Sequence, residues 1–340
     1  MKILFFTSPT TDYLSDPILI GLRKLYGTDC IDYPKRDILY RDCNRESIES
    51  IRGFGFTLYT GLLNDIDIDR FDIHGKLANK YFDLVIFSDI WRQFGFYLTW
   101  MNLLEPKSTI FLDGQDSDKI YPFAGYWLRN KQLRNLEPVS KESMYFKREF
   151  TNNSRFNYWT NFIPPNIKKF IPRKRKIYPI SFSIPDEKII KEIPSKTKMF
   201  TQHIVDEEIR KKLYNRKVKK NYVFKKENDY YNDLRISKYG ITLKRAGWDC
   251  LRHYELAANA CVPCFKNLNI KPITTAPHGL NNLNSICYSN YEDLISKLNN
   301  ISDDLYLELM NNTLKWANKN SSTNRAKDLI SRFLNFKKSE

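Results

Sequence analysis

Short apolar runs alternate with amphipathic stretches along most of this chain, the pattern of strands buried on both faces interleaved with helices buried on one. Residues 2–8 (KILFFTS) predict a first strand. Residues 17–26 predict a helix with Asp16 as N-cap, Pro17 in its first turn and Gly27 at its end. Further strands are expected over 30–33, 82–88 and 109–113, with a helix over 93–104 and a last strand in 143–149. Residues 151–179 break the rhythm: they hold Asn152-Asn153, Pro164-Pro165, Pro172 and the basic run Arg173–Lys176, and read as a connection. A second alternation follows, with strands over 178–184, 198–204, 222–225, 239–244, 262–265 and 285–288. Helices are expected over 187–193, 206–214, 230–237, 250–260 and, capped by Asn290, 290–298. Residues 305–336 are helical and broken near Ser321-Ser322. Strand-helix alternation on both sides of an aperiodic link implies two α/β domains with parallel sheets, divided as 1–165 and 166–319.

The chemistry concentrates in residues 239–265, which read as strand, helix and strand. Between the first strand and the helix lies Arg245-Ala246-Gly247-Trp248-Asp249, with Gly247 at the bend and Asp249 placed to cap a helix that starts near Cys250. A loop at the carboxyl end of a parallel strand, opening onto a helix N-terminus, is where doubly wound sheets bind phosphorylated ligands. Lys244, Arg245 and Arg252 bring full positive charge to that helix end.

The segment Arg252-His253-Tyr254-Glu255, followed by Ala257–Ala260 and Val262-Pro263, resembles the C-terminal donor-site segment of GT-B nucleotide-sugar glycosyltransferases. Its nearest form is the R-x-x-E-x-x-A-x-G-x-V-P segment of exostosin-like and CgeB-like enzymes. Asn259-Ala260 stands where a Gly is usual in that family, and no Gly-Gly follows the first strand. The resemblance implies two facing Rossmann-like domains, the nucleotide-sugar held by the second and the acceptor by the first. It also implies a terminal helix, within 320–340, that returns to the first domain; Trp316, Leu329, Phe333 and Leu334 are its expected contacts. In this family the basic residue contacts the donor diphosphate and the Glu holds the ribose. The expected donor-binding set is therefore Lys244, Arg245, Gly247, Arg252, His253, Tyr254 and Glu255, with Arg252 also neutralising the leaving diphosphate. No cofactor is expected beyond the nucleotide-sugar co-substrate.

Asp113-Gly-Gln-Asp116-Ser-Asp118 follows a predicted strand, so its carboxylates fall on the functional edge of the first sheet. Asp113 or Asp116 would serve as base for an inverting reaction; the same residues also suit a capping turn. Asp65-Ile-Asp-Ile-Asp69 has the look of a metal-binding D-x-D run, but no strong strand precedes it and it reads as a solvated turn. No metal ion is expected. His253 and His278 lie nearest the proposed site, and neither is assigned as base.

The 340 residues carry 55 Lys and Arg against 39 Asp and Glu, a formal charge of +16. This surplus favours anionic partners: phosphorylated substrates, an anionic membrane surface met peripherally, or nucleic acid. The basic-aromatic stretch Arg210–Lys226 (RKKLYNRKVKKNYVFKK) fits the last, yet no zinc finger, helix-turn-helix or RNP signature accompanies it and no nucleic-acid partner is expected. A nucleotide-sugar epimerase is the other alternative. The acceptor is expected to be a glycan or a lipid-linked saccharide. Six irregularly spaced Cys do not form a disulfide framework, and Cys261 and Cys264, though at redox-motif spacing, read as core residues. With no signal segment or membrane-length apolar run, a cytoplasmic, at most membrane-associated, protein is expected.

Overall fold

The computed structural model describes residues 1–10, 12–44, 46, 48, 51, 59–64, 66–121, 142–155, 167, 176–214 and 223–339. The first sheet is six-stranded and wholly parallel. It consists of β1 (Ile3–Phe6), β2 (Cys30–Tyr33), β3 (Leu84–Phe87), β4 (Thr109–Asp113), β5 (Met144–Lys147) and β6 (Ile177–Pro179), in the order β2-β1-β3-β4-β5-β6. The second holds β7 (Lys198–Phe200), β8 (Ser237–Leu243), β9 (Val262–Lys266) and β10 (Ile286–Tyr288), also parallel, in the order β10-β9-β8-β7. Strands buried on both faces, such as ILFF in β1 and LVIF in β3, account for the continuous apolar runs.

Helices α1 (Ser15–Tyr26), α2 (Ile73–Ala78) and α3 (Ile90–Trp100) belong to the first domain. In the second lie α4 (Glu207–Tyr214), α5 (Glu227–Ile236), α6 (Leu251–Ala258), α7 (Tyr291–Asn299) and α8 (Asp303–Lys319). The end of α1 follows expectation, with Gly27 at φ 55°, but its start does not. Asp12 rather than Asp16 receives the free N–H groups there, those of Leu14 and Ser15, while Asp16 turns inward to the Arg36 guanidinium.

Two expected elements change place. Ile177–Pro179, read as opening the second domain, pairs with β5 and closes the first sheet. The helix expected over 187–193 is a single 3-10 turn at Asp186–Lys188, in a segment interrupted by Pro185 and Pro194. The Arg52–Phe56 stretch, Asp65 and most of the connection at 156–175 lie outside the described residues, as do residues 215–222.

Helix α9 (Ser322–Lys338) crosses to the first domain and packs along α1. Ser321 separates it from α8 and caps it, its hydroxyl accepting from the Asn324 N–H. The approach to α1 is close: a Cβ on Gly21 would stand 2.1 Å from the Ser322 carbonyl oxygen. Leu329 and Phe333 are buried in this contact as expected, but Leu334 is exposed. Trp316 stays with the second domain, its ring 4.9 Å from that of Tyr254 and its indole N–H donated to the His278 carbonyl.

Candidate active site between the two sheets

The carboxyl ends of the two sheets face each other, and three consecutive residues after β5 join them. Arg148, 1% exposed, donates Nε to the Gly114 carbonyl and Nη1 to the Asp249 carbonyl. The Glu149 carboxylate accepts the backbone N–H groups of Trp248 and Asp249, each at 3.1 Å. The Phe150 carbonyl accepts the hydroxyls of Thr274 and Thr275. A Cβ on Gly247 would lie 2.5 Å from Glu149 Oε1, so a side chain at this bend would push the Glu149 carboxylate off the loop. Its part in the site is to admit a protein carboxylate. The N–H groups of Trp248 and Asp249, in the loop expected to meet a phosphorylated ligand, are bound by Glu149.

Asp249 does not cap α6; Cys250 stands at that position. The Asp249 carboxylate accepts the Phe182 N–H at 2.7 Å and the Tyr254 hydroxyl at 2.8 Å, and its burial pushes its pKa up to about 6. His253 is fully buried. Its Nε2–H donates to the Trp248 carbonyl, which leaves Nδ1 to accept from the Thr242 hydroxyl. Burial holds its pKa down at about 4, so His253 is a neutral, internally committed ring. Tyr254 is likewise in the core. As the structure stands, neither of these two expected donor contacts presents a group to the cleft.

The basic residues divide. Lys244 lies over the Trp248 ring, 5.1 Å from its centroid. The charges of Arg245, Arg252 and Arg210 of α4 all act on His203, just beyond β7. Burial together with the guanidiniums of Arg252, Arg245 and Arg210 holds the His203 pKa down at about 3. Among the described residues no carboxylate lies within ion-pair distance of these three arginines, and Arg210 Nε is buried without a partner. Glu255 is 3% exposed; its Oε2 accepts the Tyr230 hydroxyl at 2.8 Å while Oε1 has no partner. Burial raises its pKa.

On the first sheet, Asp113 is fully buried and its oxygens are committed. Lys147 Nζ and the Gln115 N–H bind Oδ1, and the Trp91 indole N–H and Tyr145 hydroxyl bind Oδ2. Burial holds the Lys147 ammonium below its ordinary pKa. Asp113 is therefore a structural centre, not a base open to the cleft. Asp116 pairs with Arg148 but keeps a side chain 55% exposed. The residues missed from sequence are Arg148, Glu149 and His203. The charged run Lys147-Arg148-Glu149 directly after an apolar strand was the available signal for the first two, and nothing local marks His203.

Two parallel α/β sheets facing each other at their carboxyl edges, with a helix returned from the second domain to the first, constitute the GT-B fold. The chain is similar over its whole length to the glycosyltransferase structure from Rickettsia africae ESF-5, with a TM-score of 0.52 and 11% identity, covering 100% of this chain and 99% of that one. Anabaena HepE, solved in complex with UDP and glucose, aligns at a TM-score of 0.47 with 10% identity, covering 98% and 99% of the two chains. No family model and no curated protein matches the chain.

Proposed function

We propose that this protein is a glycosyltransferase that moves a sugar from a nucleotide-sugar, held by the second domain, to a glycan or lipid-linked saccharide at the first. The observation that carries this reading is the set of basic side chains at the carboxyl edge of the second sheet, Arg245 after β8, Arg252 at the start of α6 and Arg210 of α4 with its buried Nε unpartnered, whose charges add to burial in holding His203 neutral. Such a group can neutralise the charge that grows on a departing nucleoside diphosphate. The N-terminus of α6 adds its dipole. Glu255 Oε1 would accept a ribose hydroxyl, consistent with the exostosin-like and CgeB-like resemblance of its segment. Of the two aspartates considered as base, Asp116 retains the exposed carboxylate. The reaction is proposed to need no metal, since the guanidiniums supply the charge; among the described residues no three His, Cys, Asp or Glu are grouped to bind one. The +16 charge supports a peripheral contact with anionic membranes. No helix among the described residues is long and apolar enough to cross one.

The test is titration calorimetry of UDP, GDP and ADP with the full chain, followed by Arg252→Ala and Arg210→Ala. At least one nucleotide binds, and each substitution weakens it. Once a donor sugar is found, Arg252→Ala lowers turnover by about 10²–10³ with an unchanged melting temperature. Failure of all three nucleotides to bind, or unimpaired binding by both variants, would sink the reading.

A further inference from the structure

A cavity of about 680 Å³ opens at the carboxyl ends of β1 and β2, walled on its third side by α3, a size suited to a ligand larger than a single small molecule of solvent or buffer. Its apolar walls include Pro9, Pro34, Ile38 and Phe96; its polar ones include Lys35, Arg36, Asp37, Asp42 and Arg92. Every cation among these is matched. Lys35 Nζ is 2.9 Å from Asp42 and 3.8 Å from Asp37, Arg36 Nε is 3.3 Å from Asp16, and Arg92 Nε is 3.2 Å from Asp89. The cavity thus has no surplus positive charge, whatever the excess over the whole chain. Donors and acceptors nevertheless remain on its walls. Arg36 is 7% exposed and its Nη2 has no partner, while the Asp37 and Asp42 side chains are 72% and 43% exposed.

Alternating donors and acceptors beside apolar and aromatic faces suit a ligand whose hydroxyls bridge donor to acceptor and whose C–H faces rest on rings. We infer that this cavity is the acceptor pocket, resting on the glycosyltransferase reading above, and that it takes an uncharged saccharide. An acidic sugar or a phosphate placed there would meet Asp37 and Asp42, while Lys35, Arg36 and Arg92 each already have a carboxylate at ion-pair distance. Any anionic part of the acceptor, such as a lipid phosphate, must lie outside it.

The experiment is saturation-transfer NMR with trimers of glucose, galactose, mannose and N-acetylglucosamine as neutral probes and trigalacturonate as the charged one. The unaltered protein is expected to bind at least one neutral trimer and not trigalacturonate. Asp42→Asn weakens the neutral trimer about tenfold, the scale of a lost hydrogen bond to a charged group. Asp37→Asn/Asp42→Asn leaves Lys35 without its two carboxylates and gains affinity for trigalacturonate. Both sites are exposed, so the variants fold. Binding of no neutral trimer, preference of the unaltered protein for trigalacturonate, or indifference to Asp42→Asn would each overturn the inference. UDP binding, measured on the same samples, reports separately on the donor side: its absence defeats the glycosyltransferase reading, whereas its presence without trimer binding defeats only the pocket.

Discussion

Replacing Glu149 by Ala would strip the first domain of its hold on the 247–249 loop. Three donors converge on this carboxylate, namely the N–H groups of Trp248 and Asp249 and Arg148 Nη1 at 2.9 Å. Glu149 is 4% exposed and Arg148 1%, so water does not readily replace what is removed. Each hydrogen bond to a charged group contributes about 1.5–3 kcal/mol, and breaking a buried ion pair costs about 3–5 kcal/mol. Because Arg148 keeps Asp116 and two carbonyls, a loss of about 3–5 kcal/mol in urea denaturation is expected rather than the sum. Gly247→Ala supplies the control. In the unaltered protein its methyl meets Glu149 Oε1 at 2.5 Å and costs about 1–3 kcal/mol as overpacking. In the Glu149→Ala background that oxygen is gone, so the double-mutant cycle should show a coupling of about 1 kcal/mol or more. A Glu149→Ala penalty below about 0.5 kcal/mol, the scale of an ordinary surface change, or strict additivity with Gly247→Ala, would refute the argument.

Asp249 gives a pH test. Its pKa is about 6 in the folded protein against 3.8 unfolded, so between those values the folded state binds more protons, and its contribution to stability declines as pH rises. Urea melts at pH 4 to 7 should show the unaltered protein losing about 2 kcal/mol relative to Asp249→Asn across that range; a pH-independent difference would contradict it. Cys261 and Cys264 are fully buried, the Cys261 thiol pushed up to about 12 by burial. Both should resist a thiol reagent in the native protein and react on unfolding, whereas the less buried Cys43 and Cys287 react first. Transfer activity should survive excess EDTA; loss restored by manganese or magnesium would count against the metal-free proposal.

The double alternation of strand and helix was legible because parallel strands buried on both faces cannot hide their apolar runs, as in β1, β3 and β8. So were the break at Ser321 and the Asn290 cap, whose signals are local. The ownership of Ile177–Pro179 was not legible: its partner is Met144–Lys147, across a long connection, and nothing in three residues says which sheet they join. The same limit governs the site. The loop at 245–249 could be recognised, but whether a ligand or Glu149 sits on its N–H groups depends on a residue about a hundred positions earlier. Asp113 looked available because it ends a strand; Lys147, Tyr145 and Trp91, which occupy it, come from other elements. Arg252 was named from the basic charge at the helix end and the resemblance of its segment, whereas Arg210 and His203 lie on other elements and carry no local signal.

The closure of α1 by α9 also sets an order of events during synthesis. Ile18, Ile20 and Leu22 of α1 share one core with Leu329, Ile330 and Phe333 of α9, so part of the first domain's apolar face lacks its cover until residue 338 has left the ribosome. From the end of β6 that is about 160 residues, or roughly 8–30 s at ~5–20 residues per second. The first domain therefore waits on the completed second one before it can be sealed, and a nascent chain stopped before Ser322 carries an exposed hydrophobic groove of the kind that holdase chaperones bind.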